Sequence, residues 1–165
     1  MTTVVIGVGN ALRGDDGAGL AAVARIPASP GVEVLSHSGD GSNLLELWDG
    51  AEAVVIVDSM ASGADPGTIQ RFDVSAEPLP AAARRPAGHT FGVAEAIEAA
   101  RALGRLPRRA IVIGVEGADF ELGAGLSEPV CAVLDTLAAA ASEEARPPGR
   151  FSRWRADRSR GSRSR

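Results

Sequence analysis

Val4-Val5-Ile6-Gly7-Val8-Gly9-Asn10-Ala11-Leu12-Arg13-Gly14-Asp15-Asp16-Gly17-Ala18-Gly19 is the stretch on which the fold turns. A β-branched run suited to a buried strand passes into a glycine-rich turn, then two adjacent carboxylates. An alanine-rich stretch follows that predicts a helix over about 16–26, stopped by Pro27. The pattern then repeats outward. Residues 31–36 alternate like a second strand before a short helix near 42–48. Residues 53–58 are a continuous apolar run closed by an acid, as in a central parallel strand. Asp65-Pro66-Gly67 signals a turn, and residues 68–73 read as a strand returning antiparallel. Residues 75–88, rich in Pro, Ala and Arg, read as an exposed loop. A helix near 90–104 follows, with Val93, Ile97 and Ala100 or Leu103 on one face. Residues 110–115 are the last strand, ending on Glu116. Ser127 and Pro129 open a final helix that carries Val130, Val133, Leu134, Leu137 and Ala141 at helical spacing. This alternation predicts an α/β fold, a single domain over residues 1–145 with a mostly parallel sheet and helices on both faces.

The 165 residues are 45% hydrophobic, enough for an aliphatic core, but only 4% aromatic with no tyrosine, which argues against a stacking platform for nucleic acid. No run approaches the roughly 18 apolar residues of a membrane span, and the N-terminus lacks a charged n-region and a cleavage site, so the expected location is cytoplasmic, without a membrane partner. The lone Cys131 excludes an intrachain disulfide or a cysteine-rich metal cage and is expected to be a packing residue. Charge is unevenly spread. Residues 1–145 hold 9 arginines against 20 acids, a net of −11, whereas residues 146–165 hold 8 arginines against 1 acid, a net of +7. That basic tail of Pro, Gly, Ser and Arg cannot bury enough apolar area to offset its ordering entropy and is expected to be disordered. A solubilising role is the favoured reading for it; a nonspecific nucleic-acid role, with Trp154 as a stacking group, is the alternative.

Gly7-Val8-Gly9 after a strand suggests a dinucleotide fingerprint, but its third small position falls on Leu12. Two carboxylates at the following helix start would also repel a pyrophosphate. One of Asp15 and Asp16 can satisfy the helix amides as an N-cap, leaving the other at the carboxyl end of the first strand, where open α/β sheets place their ligands. Asp58 closes the third strand on the same edge. His89 lies just ahead of a helix that should begin there. Two carboxylates and an imidazole suit a borderline divalent metal such as nickel or zinc, and a cation would relieve the repulsion between the acids. His37 follows the second strand without a comparable partner and is left out. Glu116, at the end of the last strand, is either an acid behind the site or in contact with substrate, or a surface residue.

At these residues the sequence resembles the hydrogenase maturation proteases, which remove the C-terminal extension of nickel-iron hydrogenase large subunits. The likeness runs in order from Gly7-Val8-Gly9-Asn10 and Asp15-Asp16-Gly17-Ala18-Gly19 through Val57-Asp58, Gly88-His89 and Gly92-Val93-Ala94-Glu95-Ala96. It ends with Ile113-Gly114-Val115-Glu116 and Gly125-Leu126-Ser127. It leaves the basic tail unmatched. The resemblance implies a twisted five-stranded sheet in a three-layer, phosphorylase/hydrolase-like sandwich. It also implies an acid/acid/His trio at Asp16, Asp58 and His89, which leaves capping to Asp15. By the same resemblance the substrate is a large-subunit precursor that supplies its own nickel, for which zinc or cadmium could substitute. The metal then serves recognition, or polarises the scissile carbonyl or activates water. No Ser-His-Asp or Cys-His constellation and no HExxH motif offers another protease class. A non-catalytic metal- or precursor-binding chaperone and, more remotely, a nucleotide-binding module are the competing expectations.

Overall fold

The first strand, β1 (Thr3–Val8), is buried along its whole length and pairs in parallel with both β2 (Val32–His37) and β3 (Ala53–Met60). The computed structural model describes residues 2–39, 43–83 and 92–147. Within them β5 (Arg109–Glu116) pairs in parallel with β3, and β4 (Ile69–Asp73) pairs antiparallel with β5. The sheet order is β2-β1-β3-β5-β4, a five-stranded, mostly parallel α/β sheet. The direction of β4 follows from its connection. The segment between β3 and β4 is too short for a parallel crossover, and Thr68 closes the turn by donating its backbone N–H and its hydroxyl to the Asp65 carbonyl at 3.1 and 2.6 Å.

Alternation along the central strands sends side chains to two cores. Val4, Ile6, Val54, Ile56, Ala110 and Val112 pack with Leu44 of α2 (Leu44–Leu47), with Trp48, and with Ile97 and Ala100 of α3 (Val93–Ala102). Val5, Val55, Val57, Ile111 and Ile113 pack with Ala22 of α1 (Ala18–Val23), Val130 of α4 (Glu128–Cys131) and Leu137 of α5 (Leu134–Ala145). Helices therefore cover both faces of one domain.

Several expectations needed correction. The first helix is shorter than predicted. A 3-10 turn, Gly14–Gly17, precedes it, and i→i−3 bonds from Arg25 to Ala22 and from Ile26 to Val23 end it before Pro27. The final helix is two pieces, split where the Val133 N–H bonds to the Val130 carbonyl. Residues 75–83 are not simply an exposed loop. Val74 and Leu79 enter the core, and Arg101 donates to the Val74, Ser75 and Glu77 carbonyls at 2.7, 3.0 and 3.2 Å, fixing the segment on α3. Cys131, expected to pack, is exposed. Of the two alternatives on α3, Ala100 is buried and Leu103 is in solvent. No helix among the described residues is long and apolar enough to cross a membrane. The tail from residue 148 onward lies outside the described residues.

Candidate active site

The carboxyl ends of β1 and β3 meet the start of α1 through glycines that permit very close approach. A Cβ on Gly19 would stand 2.3 Å from the Val57 carbonyl oxygen and 2.6 Å from that of Val8. A Cβ on Gly9, whose φ is +146°, would stand 1.8 Å from the Asp16 carbonyl oxygen. The turn of residues 10–17 is thereby pressed onto the strand ends. The amides a phosphate would use there serve the chain itself. Gly9 donates its N–H to the His37 carbonyl at 3.0 Å, and Asn10 donates to Asp16 Oδ2 at 3.1 Å. A dinucleotide reading of these glycines loses its physical basis.

Asp15 is fully buried and does not cap α1, which has no side-chain cap. Its carboxylate reaches across the fold. Oδ2 accepts from the backbone N–H groups of Ala118 and Asp119 at 2.7 and 3.1 Å and from the Ser127 hydroxyl at 2.7 Å, while Oδ1 accepts the Ser127 N–H at 2.7 Å. Burial opposes ionisation of Asp15, but these donors outweigh it and hold its pKa below the ordinary 3.8. Capping was the wrong assignment because the donors it satisfies belong to the loop after β5.

Asp16 is also buried, at 6% exposure, and faces the strand ends. Besides the Asn10 amide, its Oδ1 lies 3.5 Å from the Ser59 hydroxyl, and the Ser59 N–H donates to Asp58 Oδ1 at 2.8 Å. Ser59 thus touches both carboxylates: its side chain lies toward α1 and Asp16, whereas alternation puts Asp58 on the face of α2 and α3. His89, the third residue of the expected trio, lies outside the described residues, four positions ahead of the first residue of α3. Among the described residues no group of three His, Cys, Asp or Glu side chains is disposed to hold a metal ion.

Glu116, which the sequence left open, and His37, which it left out, now have places. Glu116 is buried and accepts from the Ser62 N–H and hydroxyl at 3.1 and 2.8 Å and from the Gly63 N–H at 2.9 Å, so it anchors the loop leaving β3 just beyond Asp58. His37 accepts the Gly39 N–H on Nδ1 at 3.0 Å, which puts the proton on Nε2, 2.7 Å from Asn43 Oδ1. Ser59 is the residue that sequence reasoning missed. Its only signal was its place directly after Asp58, which the sequence reads as the end of a strand that in the structure runs on to Met60.

Comparison with known proteins draws on this same framework. The family model described as "Hydrogenase maturation protease" matches residues 22–144, a span that includes Asp58 and His89 but begins after Asp16. The hydrogenase expression/formation protein HupD of Rhodobacter capsulatus is 30% identical over 153 residues, covering 88% of this chain and 72% of the relative. Among solved structures, the hydrogenase maturating endopeptidase HybD from E. coli superposes with a TM-score of 0.73 at 26% identity, covering 85% of this chain and 89% of that one. A [NiFe] hydrogenase maturation protease HybD from Thermococcus kodakarensis gives 0.66 at 28% identity, with 88% and 100% covered.

Proposed function

Because this chain belongs to the hydrogenase maturation protease family and is a maturation endopeptidase, we propose that it removes the C-terminal extension of a nickel-iron hydrogenase large-subunit precursor after nickel has been inserted. Asp16, Asp58 and His89 complete the coordination of the nickel that the substrate carries. The observation that supports this most directly is that Ser59 of β3 links to both acids near the carboxyl edge of the sheet, its hydroxyl 3.5 Å from Asp16 Oδ1 and its N–H donating to Asp58 Oδ1. Two carboxylates turned toward one substrate site repel each other, and a divalent cation delivered by the substrate relieves the repulsion. Oxygen ligands with one imidazole match the preference of nickel, with zinc or cadmium as substitutes. Bound to the precursor, the metal supplies recognition and Lewis acidity toward the scissile carbonyl or an attacking water. The chain's own part is to present Asp16 from the turn before α1 and Asp58 from β3. The location that follows is the cytoplasm, beside the precursor.

The family assignment leaves no observation favouring a non-catalytic chaperone, and the occupied amides at Gly9 and Asn10 disfavour a nucleotide module. The test is cleavage of precursor, with and without nickel, by wild type and by His89→Ala, followed by mass. The reading expects loss of the extension only with nickel and only with the wild-type chain. Wild type that binds nickel-loaded precursor and leaves it intact would refute it, as would full processing by His89→Ala.

A further inference from the structure

Three large apolar side chains are prominently exposed among the described residues: Leu12 at 68%, Leu103 at 65% and Leu122 at 71%. Single exposed leucines are ordinary on a protein surface. Leu103 fits that description, at the end of α3 on the edge where the strands begin. Leu12 and Leu122 are different, because the backbones that carry them are bonded to each other. The Gly123 N–H donates to the Leu12 carbonyl at 2.8 Å, the Gly14 N–H to Ala124 at 3.0 Å and the Asp15 N–H to Asp119 at 2.7 Å. The Asp15 carboxylate adds its bonds to Ala118, Asp119 and Ser127 beneath them. Two loops distant in sequence are thus clasped into one ledge that presents two leucines to water. The ledge is continuous with the site, since the turn bearing Leu12 folds back through the Asn10 N–H to Asp16.

We propose that Leu12 and Leu122 form an apolar seat for the polypeptide segment of the precursor next to its cleavage position. This inference rests on the endopeptidase reading above. The occupant follows from the reaction. A peptide-bond cleavage at Asp16 needs an extended chain laid across the rim of the site, and the apolar rim adjoining that acid is this ledge. Its loops are fixed before substrate arrives, so the seat is preorganised and ordering it costs little on binding. Polar substitution of the leucines removes apolar burial from the complex but not from the free enzyme. The loss therefore falls on substrate binding, and one buried leucine is enough for about tenfold.

The experiment measures steady-state processing of nickel-loaded precursor by wild type, by Leu12→Ser/Leu122→Ser, by Leu12→Met/Leu122→Met and by Leu103→Ser, with a thermal melt of each. The seat predicts KM raised at least about tenfold in the double serine variant, kcat within about twofold, and a Tm within about 2 °C of wild type. The double methionine variant and Leu103→Ser should keep the wild-type KM. An unmoved KM in the double serine variant overturns the seat while wild-type cleavage leaves the endopeptidase reading standing. An equal rise in Leu103→Ser, or a fall in kcat alone, overturns it too. Absence of cleavage by wild type removes the endopeptidase reading, and the seat with it.

Discussion

Asp15 and Asp16 are adjacent, identical in chemistry and both buried, yet they belong to different parts of the molecule. Asp15 turns toward the loop after β5 and binds donors as far as 112 residues away. Asp16 turns toward the strand ends, where the Asn10 amide holds it beside Ser59. The difference shows that a pair of carboxylates at a strand-to-helix turn divides its labour by what each one faces. One acid fastens the loop after β5 to the turn before α1, and the other lies against the strand ends beside Ser59.

The comparison can be broken first at the glycine against which the turn carrying Asp16 is packed. Gly9→Ala drives a Cβ into the Asp16 carbonyl oxygen, 1.8 Å away, from a φ of +146°. It should cost more than about 4 kcal/mol in urea unfolding. Gly50→Ala, at a φ of +76° with nothing within 4 Å, should cost only about 1–2 kcal/mol, a backbone effect alone. A loss of similar size in both would mean that the turn is not pressed onto the strands.

Asp15→Ala comes next. It strips acceptors from three backbone amides and a hydroxyl in a buried setting, and about 3 kcal/mol of stability should go, some 6–12 °C in Tm for a domain of this size. Glu116→Gln should cost less, about 1–2 kcal/mol, because it keeps one carbonyl acceptor for the loop of residues 61–63.

The smallest effect is in the acid limb of stability. The folded-state pKa of Asp15 is lowered. Burial raises it, but the bonds from Ala118, Ser127 and Asp119 outweigh that. Its stabilisation is therefore complete above the unfolded value near 3.8 and is lost as pH falls through the folded value. Asp73, also lowered, chiefly by the Ser75 hydroxyl, behaves likewise. Urea midpoints from pH 5 to pH 2 should fall less steeply in Asp15→Asn than in wild type, with the part due to Asp73 remaining. An unchanged slope would show that Asp15 gains nothing from ionisation.

Much of the framework was legible in the sequence for a definite reason. Strands buried on both faces must be continuous apolar runs, so β1, β3 and β5 announced themselves, and the Asp65-Pro66-Gly67 turn gave the reversal into β4. The end of α1 and the split before α5 depended on i→i−3 bonds that no periodicity marks. Within the site, Asp16 and Asp58 could be put on one edge because strand ends share an edge. Ser59, Glu116 and Asp15 could not be read, because their roles lie in contacts between segments far apart in the chain. Glu116 meets Ser62 from 54 positions away, and Asp15 meets Ala118 from 103.

The division between the two acids is tested most directly by making the same substitution at each. Asp15→Asn and Asp16→Asn would be compared for Tm and for processing of nickel-loaded precursor per folded molecule, with the extension followed by mass. The account predicts that Asp16→Asn melts within about 3 °C of wild type and processes at least about a hundredfold more slowly, whereas Asp15→Asn melts several degrees lower. A folded Asp16→Asn that processes precursor at the wild-type rate would contradict it.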